Sequence, residues 1–224
     1  MANTVGEFGG GLGRLLAEDQ NDTKHLMASH VPSVSDRIWR YWFGKEWYDQ
    51  GGTSQCVVHA WEHYSSGNPH SHRALPKPVT GNLTEAYGWC QRNDEWPGED
   101  YDGTSVRAGA KYLQSRGLIS EYTWAWELDP IVYAILEVGP VVVGTNWYES
   151  MFWPDSRGNV TLSGNVVGGH AWLVDGINTE RRMFRAKNSW GRQWGFNGFF
   201  YLPFDVMQRL IREDGEACLA VEIL

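Results

Sequence analysis

The chain changes its residue pattern at Gly139-Pro140, and that change constrains the fold more than any other feature. Ahead of it, apolar residues recur at helical spacing. VVHAWEHY predicts a helix from about Cys56 to Ser65, and TEAYGWCQR a short helix opened by Thr84, with Glu85 favourable in its first turn. TSVRAGAKYLQSRG predicts a helix capped by Thr104 or Ser105 and closed by Gly117, and PIVYAILEVG predicts another. Past Pro140, PVVVGTNW, HAWLVDGI, MFRAKNSW and GFFYLP are short β-branched or aromatic runs separated by Gly, Asn and Asp turns, which is strand patterning. Helices first and strands second predict an α+β fold of two lobes sharing a cleft.

Residues 1–35 stand apart. They are Gly-rich and then polar, with GRLL as the one short apolar run, and read as an irregular arm wrapped on the body. The body is residues 36–224, with a helical lobe over about 36–138 and a strand-rich lobe over about 139–224. A chain of 224 residues, 42% of them apolar and 13 of them tryptophan, can bury a core of that size, with tryptophans packing at the lobe interface or along a groove.

Charge excludes some functions. The net charge of −8 comes with no basic block, which argues against a nucleic-acid partner and against an anionic membrane surface. No run of 18 apolar residues predicts a membrane span. The N-terminus lacks the charged and apolar regions of a secretory signal, so the chain is expected to stay in the compartment where it is made.

Three cysteines, Cys56, Cys90 and Cys218, are an odd and low count, unlike a secreted disulfide framework. At most one bridge can form. Cys90, in an aromatic helix, and Cys218, on a late strand, read as core thiols. Cys56 follows a polar, Gly-containing turn and leads into a helix. Packing residue, metal ligand, disulfide half and nucleophile are all open for it on these grounds alone.

The surroundings favour the nucleophile. Acyl transfer by a thiol needs a thiolate, a base, a group that orients the base, and donors for the oxyanion. A helix start favours a thiolate at Cys56. Gln50 lies six residues upstream, His170 opens an apolar strand in GGHAWLVDGIN, and Asn188 follows in KNSWGRQWGFNG beside Trp190.

These segments resemble the papain family of cysteine peptidases. The family's nucleophile block is matched at Gln50, Gly51 and Cys56, its histidine block at Gly169, His170 and Ala171, and its asparagine block nearly residue for residue over Lys187 to Phe199. DGTSVRAGAKYLQSRGLI is similar to the helix after the family's substrate-binding loop. The resemblance covers roughly residues 36–224 and is nearest to short forms encoded by bacteriophages and bacteria. It implies a papain-like fold, with a helical left lobe, a β-barrel-like right lobe and the active site between them.

It implies roles as well. Cys56 is the nucleophile, His170 its imidazolium partner, and Asn188 the orienting group. Gln50 and the backbone N–H of Cys56 form the oxyanion hole, and Trp190 shields the Asn–His contact. Gly103, Gly144, Gly169 and Trp190 are the expected substrate-binding residues, with Gly144 and Gly169 leaving room for a bulky apolar side chain. The implied activity is endopeptidase cleavage of a polypeptide with no cofactor or metal, in the cytoplasm of a bacterial or phage-infected cell or on a virion, where phage structural proteins would be partners.

The sequence departs from the family at several points. Val57 follows the nucleophile where an aromatic residue is usual, Thr53 replaces a cysteine, the double-Gly substrate strand is reduced to Asp102-Gly103-Thr104, and the helical prodomain signature is missing. A catalytically weak, virion-associated binding protein and a peptidoglycan cross-link endopeptidase are the alternatives. Transglutaminase-like chemistry is disfavoured by asparagine, not aspartate, at position 188. A second cluster, His59, Glu62, His63, His70 and His72, lacks the H-E-x-x-H order of a helical zinc site and reads as a solvated, partly packed helix face.

Overall fold

A computed structural model of the chain describes residues 10–17, 19–20, 22–27, 38–70 and 76–222. Three helices make one side of it: α1 (Cys56–Ser66), α2 (Leu83–Asn93) and α3 (Val106–Ser115). All eleven residues of α1 are buried, so it is the central helix and not an amphipathic surface one. The α2 cap is Asn82, whose side chain accepts from the N–H groups of Thr84 and Glu85, two residues ahead of the expected Thr84. Ser105 caps α3 by accepting from Ala108 N–H, and Gly117 reverses the chain after it at φ +67°.

Gly109 lets α3 lie against α1. A Cβ there would stand 2.5 Å from Trp61 Nε1 and 3.0 Å from Val57 Cγ1. Gly109→Ala raises helix propensity by about 1 kcal/mol, but the buried overlap costs about 1–3 kcal/mol or more, so the overlap decides. The variant is expected to melt several degrees below the parent in a thermal scan; a rise in Tm would contradict this packing.

The sheet has seven strands, mostly in the order β4-β9-β5-β6-β7-β8, with β2 pairing β6. These are β2 (Trp39–Tyr41), β4 (Ile119–Ala125), β5 (Val141–Tyr148), β6 (Val166–Asn178), β7 (Met183–Lys187), β8 (Phe199–Pro203) and β9 (Glu216–Glu222), all in antiparallel pairs. The predicted strands past Pro140 are β5 to β8, and the sheet also takes β2 and β4 from the chain ahead of Pro140. The predicted helix before Pro140 begins as α4 (Leu128–Tyr133) and continues as a π-helical turn over Ala134–Val138, while α5 (Phe204–Arg212) follows β8.

Strand alternation divides the apolar residues into two cores. Val142, Ala171, Leu173 and Cys218 face the helices and join Cys56, Val57 and Trp61. Val141, Val143, Trp172 and Val174 face the other way, with Trp147, Trp190 and Phe200. The architecture is therefore the expected α+β fold with two lobes, and β6 is the wall between its two cores.

Among the described residues no helix is long and apolar enough to cross a membrane. The three cysteines are buried and free. The described part of the N-terminal arm enters the interior: residues 10–14 are buried, and β1 (Arg14–Leu15) pairs in parallel with β3 (Thr104–Ser105).

Candidate active site

Cys56 is the first residue of α1, at the end where helical N–H groups point outward. The N–H groups of Val57, Gly13 and Ala171 face its sulfur and favour a thiolate, yet complete burial outweighs them and pushes the thiol up to about 11. Ala171 follows His170 directly on β6, so the sulfur sits against the backbone next to the histidine.

His170 projects from the opposite face of β6. Its Nε2 lies 2.8 Å from Asn188 Oδ1. That oxygen also accepts from Ser189 N–H at 2.8 Å, which identifies it as the carbonyl end of the amide. His170 therefore donates through Nε2, and its basic lone pair is on Nδ1. Nδ1 is buried and has no hydrogen-bond partner among the described residues. The ring is packed 4.7 Å from the rings of both Trp147 and Trp190. Burial among them lowers His170 to about 4, with the Asn188 contact opposing. Burial thus disfavours the charged form of both the thiol and the imidazole in this closed form.

The closure has an identifiable cause, because the N-terminal arm lies across the site as a strap. Gly11 donates to Gly51 O at 2.9 Å, and its own oxygen accepts from Gln50 Nε2 at 3.0 Å and Trp190 Nε1 at 3.3 Å. Gly13 donates to Gly169 O at 3.0 Å and accepts from Thr104 N–H at 2.9 Å. Glycine makes this approach feasible: a Cβ at Gly11 would be 2.6 Å from the carbonyl carbon of Thr53, and one at Gly13 would be 2.7 Å from Ser54 Cα. Arg14 then turns down between Gly144 and Gly169, where its Nε meets Glu216 Oε1 at 3.0 Å and its terminal nitrogen meets Asp214 O at 2.8 Å.

Of the residues singled out from the sequence, Gln50, Gly103, Gly144, Gly169 and Trp190 meet the strap, whereas no hydrogen bond among the described residues joins Cys56 to His170 Nδ1. Gln50 donates to Thr53 O as well as to Gly11 O, and its own oxygen accepts from the Ser189 hydroxyl. Gly103 lies under Gly13, with φ +99° and an added Cβ 2.9 Å from the Gly13 carbonyl carbon. Gly144, Gly169 and Trp190 touch the strap as well. The apolar occupant expected between Gly144 and Gly169 is instead an arginine paired with a buried acid. The sequence analysis assigns no role to Glu216 or the strap glycines; a carboxylate directly ahead of the apolar run ACLAV was the available signal for the first.

The histidine cluster differs from its expected solvated face. His59, Glu62 and His63 are buried. Both Glu62 oxygens are engaged, by Tyr48 O–H at 2.8 Å, Val79 N–H at 2.9 Å, Thr80 N–H at 2.8 Å and the Thr80 hydroxyl at 2.7 Å. His63 Nε2 accepts from Tyr48 N–H at 3.3 Å. His72 lies outside the described residues. Among the described residues no three His, Cys, Asp or Glu side chains are grouped to hold a metal ion.

Comparison with known proteins identifies the family and the fold. The model of the papain family of cysteine proteases matches residues 79–215, a span that contains His170 and Asn188 and begins after Cys56. An uncharacterized peptidase C1-like protein of Acanthamoeba polyphaga mimivirus is 32% identical over 117 residues, 48% of this chain and 36% of its own length. The chain thus spans about a third of that curated relative. Among solved structures, xylellain, a cysteine protease from Xylella fastidiosa, superposes with a TM-score of 0.74 at 18% identity, covering 100% of this chain and 99% of its own. Digestive procathepsin L 3 of Tenebrio molitor superposes with a TM-score of 0.60 at 17% identity, covering 93% and 75%. Both likenesses are likenesses of fold.

Proposed function

The chain belongs to the papain family of cysteine proteases, and from that premise we propose that it is a cysteine endopeptidase acting through Cys56, His170 and Asn188, held closed by its own N-terminal strap. The observation that carries the reading is the arrangement on β6. Consecutive residues bring the imidazole and a backbone N–H aimed at the sulfur to one seam, and the Asn188 contact leaves the basic Nδ1 free.

In this reading His170 Nδ1 takes the Cys56 proton as the sulfur attacks the substrate carbonyl carbon. The C–N bond breaks, the proton passes to the leaving amine, and a thioester remains. Water then attacks the thioester, gives a proton to Nδ1, and releases the acid and the thiol. Asn188 Oδ1 holds the ring in the productive tautomer. Gln50 Nε2 and the backbone N–H of Cys56 hold the oxyanion; Gln50 Nε2 now donates to the strap carbonyl of Gly11, so the strap and a substrate carbonyl compete for one donor.

The catalytically weak binding protein remains the second reading, and the occupied cleft is the observation that favours it. A peptidoglycan cross-link endopeptidase is the third. The setting we propose is a bacterial or phage-infected cell, with phage structural proteins as candidate substrates or partners.

An epoxide thiol-protease inactivator separates the readings. In a Gly13→Val chain, where the added side chain displaces the strap, intact mass is expected to show one adduct, mapped to Cys56, absent on adding Cys56→Ala and slowed on adding His170→Ala. No adduct in reducing buffer would favour the binding protein. Cleavage of casein but not of peptidoglycan would then select the protein-directed hydrolase, and the reverse would select the cell-wall enzyme.

A further inference from the structure

Arg14 occupies a built pocket. Its side chain and that of Glu216 are 2% and 3% exposed, and their contact joins positions 202 residues apart. The walls are made by what is missing: a Cβ on Gly144 would stand 2.8 Å from Arg14 Nε and 2.9 Å from Val106 Cγ2, and a Cβ on Gly169 would stand 3.3 Å from Arg14 Cδ. The floor is Glu216, and the Asp214 carbonyl gives a second acceptor on the same guanidinium. Room for a long side chain thus ends in two acceptors spaced for a planar fork.

The strap reaches this pocket through main-chain bonds to Gly169 and Thr104, groups on the two sides of the cleft. A substrate strand in the same cleft meets the same groups, and one of its side chains meets the same pocket. We propose that Glu216 is the specificity-determining residue of this site and selects a basic side chain, arginine above all, in the polypeptide substrate. The strap's Arg14 then holds the place of that substrate residue. This rests on the peptidase reading above.

The chemistry ranks the candidate side chains. Arginine satisfies both acceptors. Lysine is a point donor without the fork, so it ranks second. Leucine fills the space and leaves Glu216 buried without a partner, and a glutamate adds repulsion to that loss. Burial pushes the Glu216 carboxyl up, with Arg14 and then Arg107 opposing and Asp22 adding to the rise, so a cationic occupant is what favours its charged form.

Peptidyl vinyl sulfones test this directly. A set differing only in one side chain, Arg, Lys, Leu or Glu, is scanned along the peptide against full-length Arg14→Ala, whose pocket is vacated. The rate of Cys56 labelling is read by intact mass. At one peptide position the arginyl probe is expected to label at least about tenfold faster than the leucyl probe, with lysyl between them. In Arg14→Ala/Glu216→Gln that preference is expected to fall below about threefold. A leucyl rate equal to or above the arginyl rate at every position overturns the proposal, as does an arginyl preference unchanged by Glu216→Gln. If the double variant does not fold, the probe ranking on Arg14→Ala decides alone. Where no probe labels Arg14→Ala, the same ranking is read on Gly13→Val/Arg14→Ala, whose strap is displaced; labelling of neither chain overturns the peptidase reading and this proposal together, whereas labelling in the wrong order overturns this proposal only.

Discussion

Gly13→Val is expected to switch the full-length protein on, raising the second-order rate of peptide hydrolysis about 30-fold. Gly13 lies over the nucleophile, with its N–H facing the Cys56 sulfur and an added Cβ 2.7 Å from Ser54 Cα. A branched side chain there overlaps the backbone just ahead of α1, which is buried and cannot give way. Overlap of this kind costs roughly 2 kcal/mol, and the cost falls on the closed state alone. Open and closed populations therefore shift by about 30-fold, since 1.4 kcal/mol is a factor of ten. A substitution that only damaged the fold would lower activity and Tm together. Activity that rises while the Tm of the body holds distinguishes a displaced strap from damage. Unchanged activity would mean that the strap does not limit access.

The second large effect is chemical. In a Gly13→Val chain, Cys56→Ala is expected to lower kcat/KM by about 10⁴-fold or more, into the background of the assay. The substitution removes one buried atom from the start of α1 and leaves the His170–Asn188 contact intact, so far-UV circular dichroism is expected to be unchanged. His170→Ala is expected to lose nearly as much, and the double variant to lose no more than either single one, because the two groups act as a unit. Additive losses would contradict a shared proton-transfer step. Appreciable hydrolysis by Cys56→Ala would remove the thiol from the mechanism.

The sequence made some of this legible because the relevant signals are local. Helical spacing in VRAGAKYLQS and alternation in PVVVGTNW reflect which face each residue buries, and burial was the physical outcome. The Lys187–Phe199 block carries its own turns, including Gly191, Gly195 and Gly198 at positive φ, so a short window was informative. Long-range features were not legible. Glu62 belonged to an apparently polar helix face until the Val79–Thr80 backbone, folded back onto it, supplied its donors. Glu216 and Arg14 gain meaning only when paired across 202 positions. The Gly-rich arm reads from composition as an irregular segment wrapped on the body, but composition does not show that Gly11 and Gly13 are required by close backbone approach to Thr53 and Ser54, about 40 residues onward. The cap of α2 lies two residues ahead of Thr84, because the Asn82 carbonyl oxygen reaches both exposed N–H groups.

The account stands on a sulfur and an imidazole becoming one ionisable unit once the strap is moved. Site-resolved alkylation of Cys56 by iodoacetamide, followed from about pH 5 to about pH 11, measures that most directly. In the closed protein the thiol is held up to about 11, so the thiolate is scarce at neutral pH and the rate should climb only toward the alkaline end. In Gly13→Val a thiolate–imidazolium pair should give a fast rate already near neutral pH, and His170→Ala in that background should return the profile toward the alkaline end. A Gly13→Val profile identical with and without His170 would contradict the account.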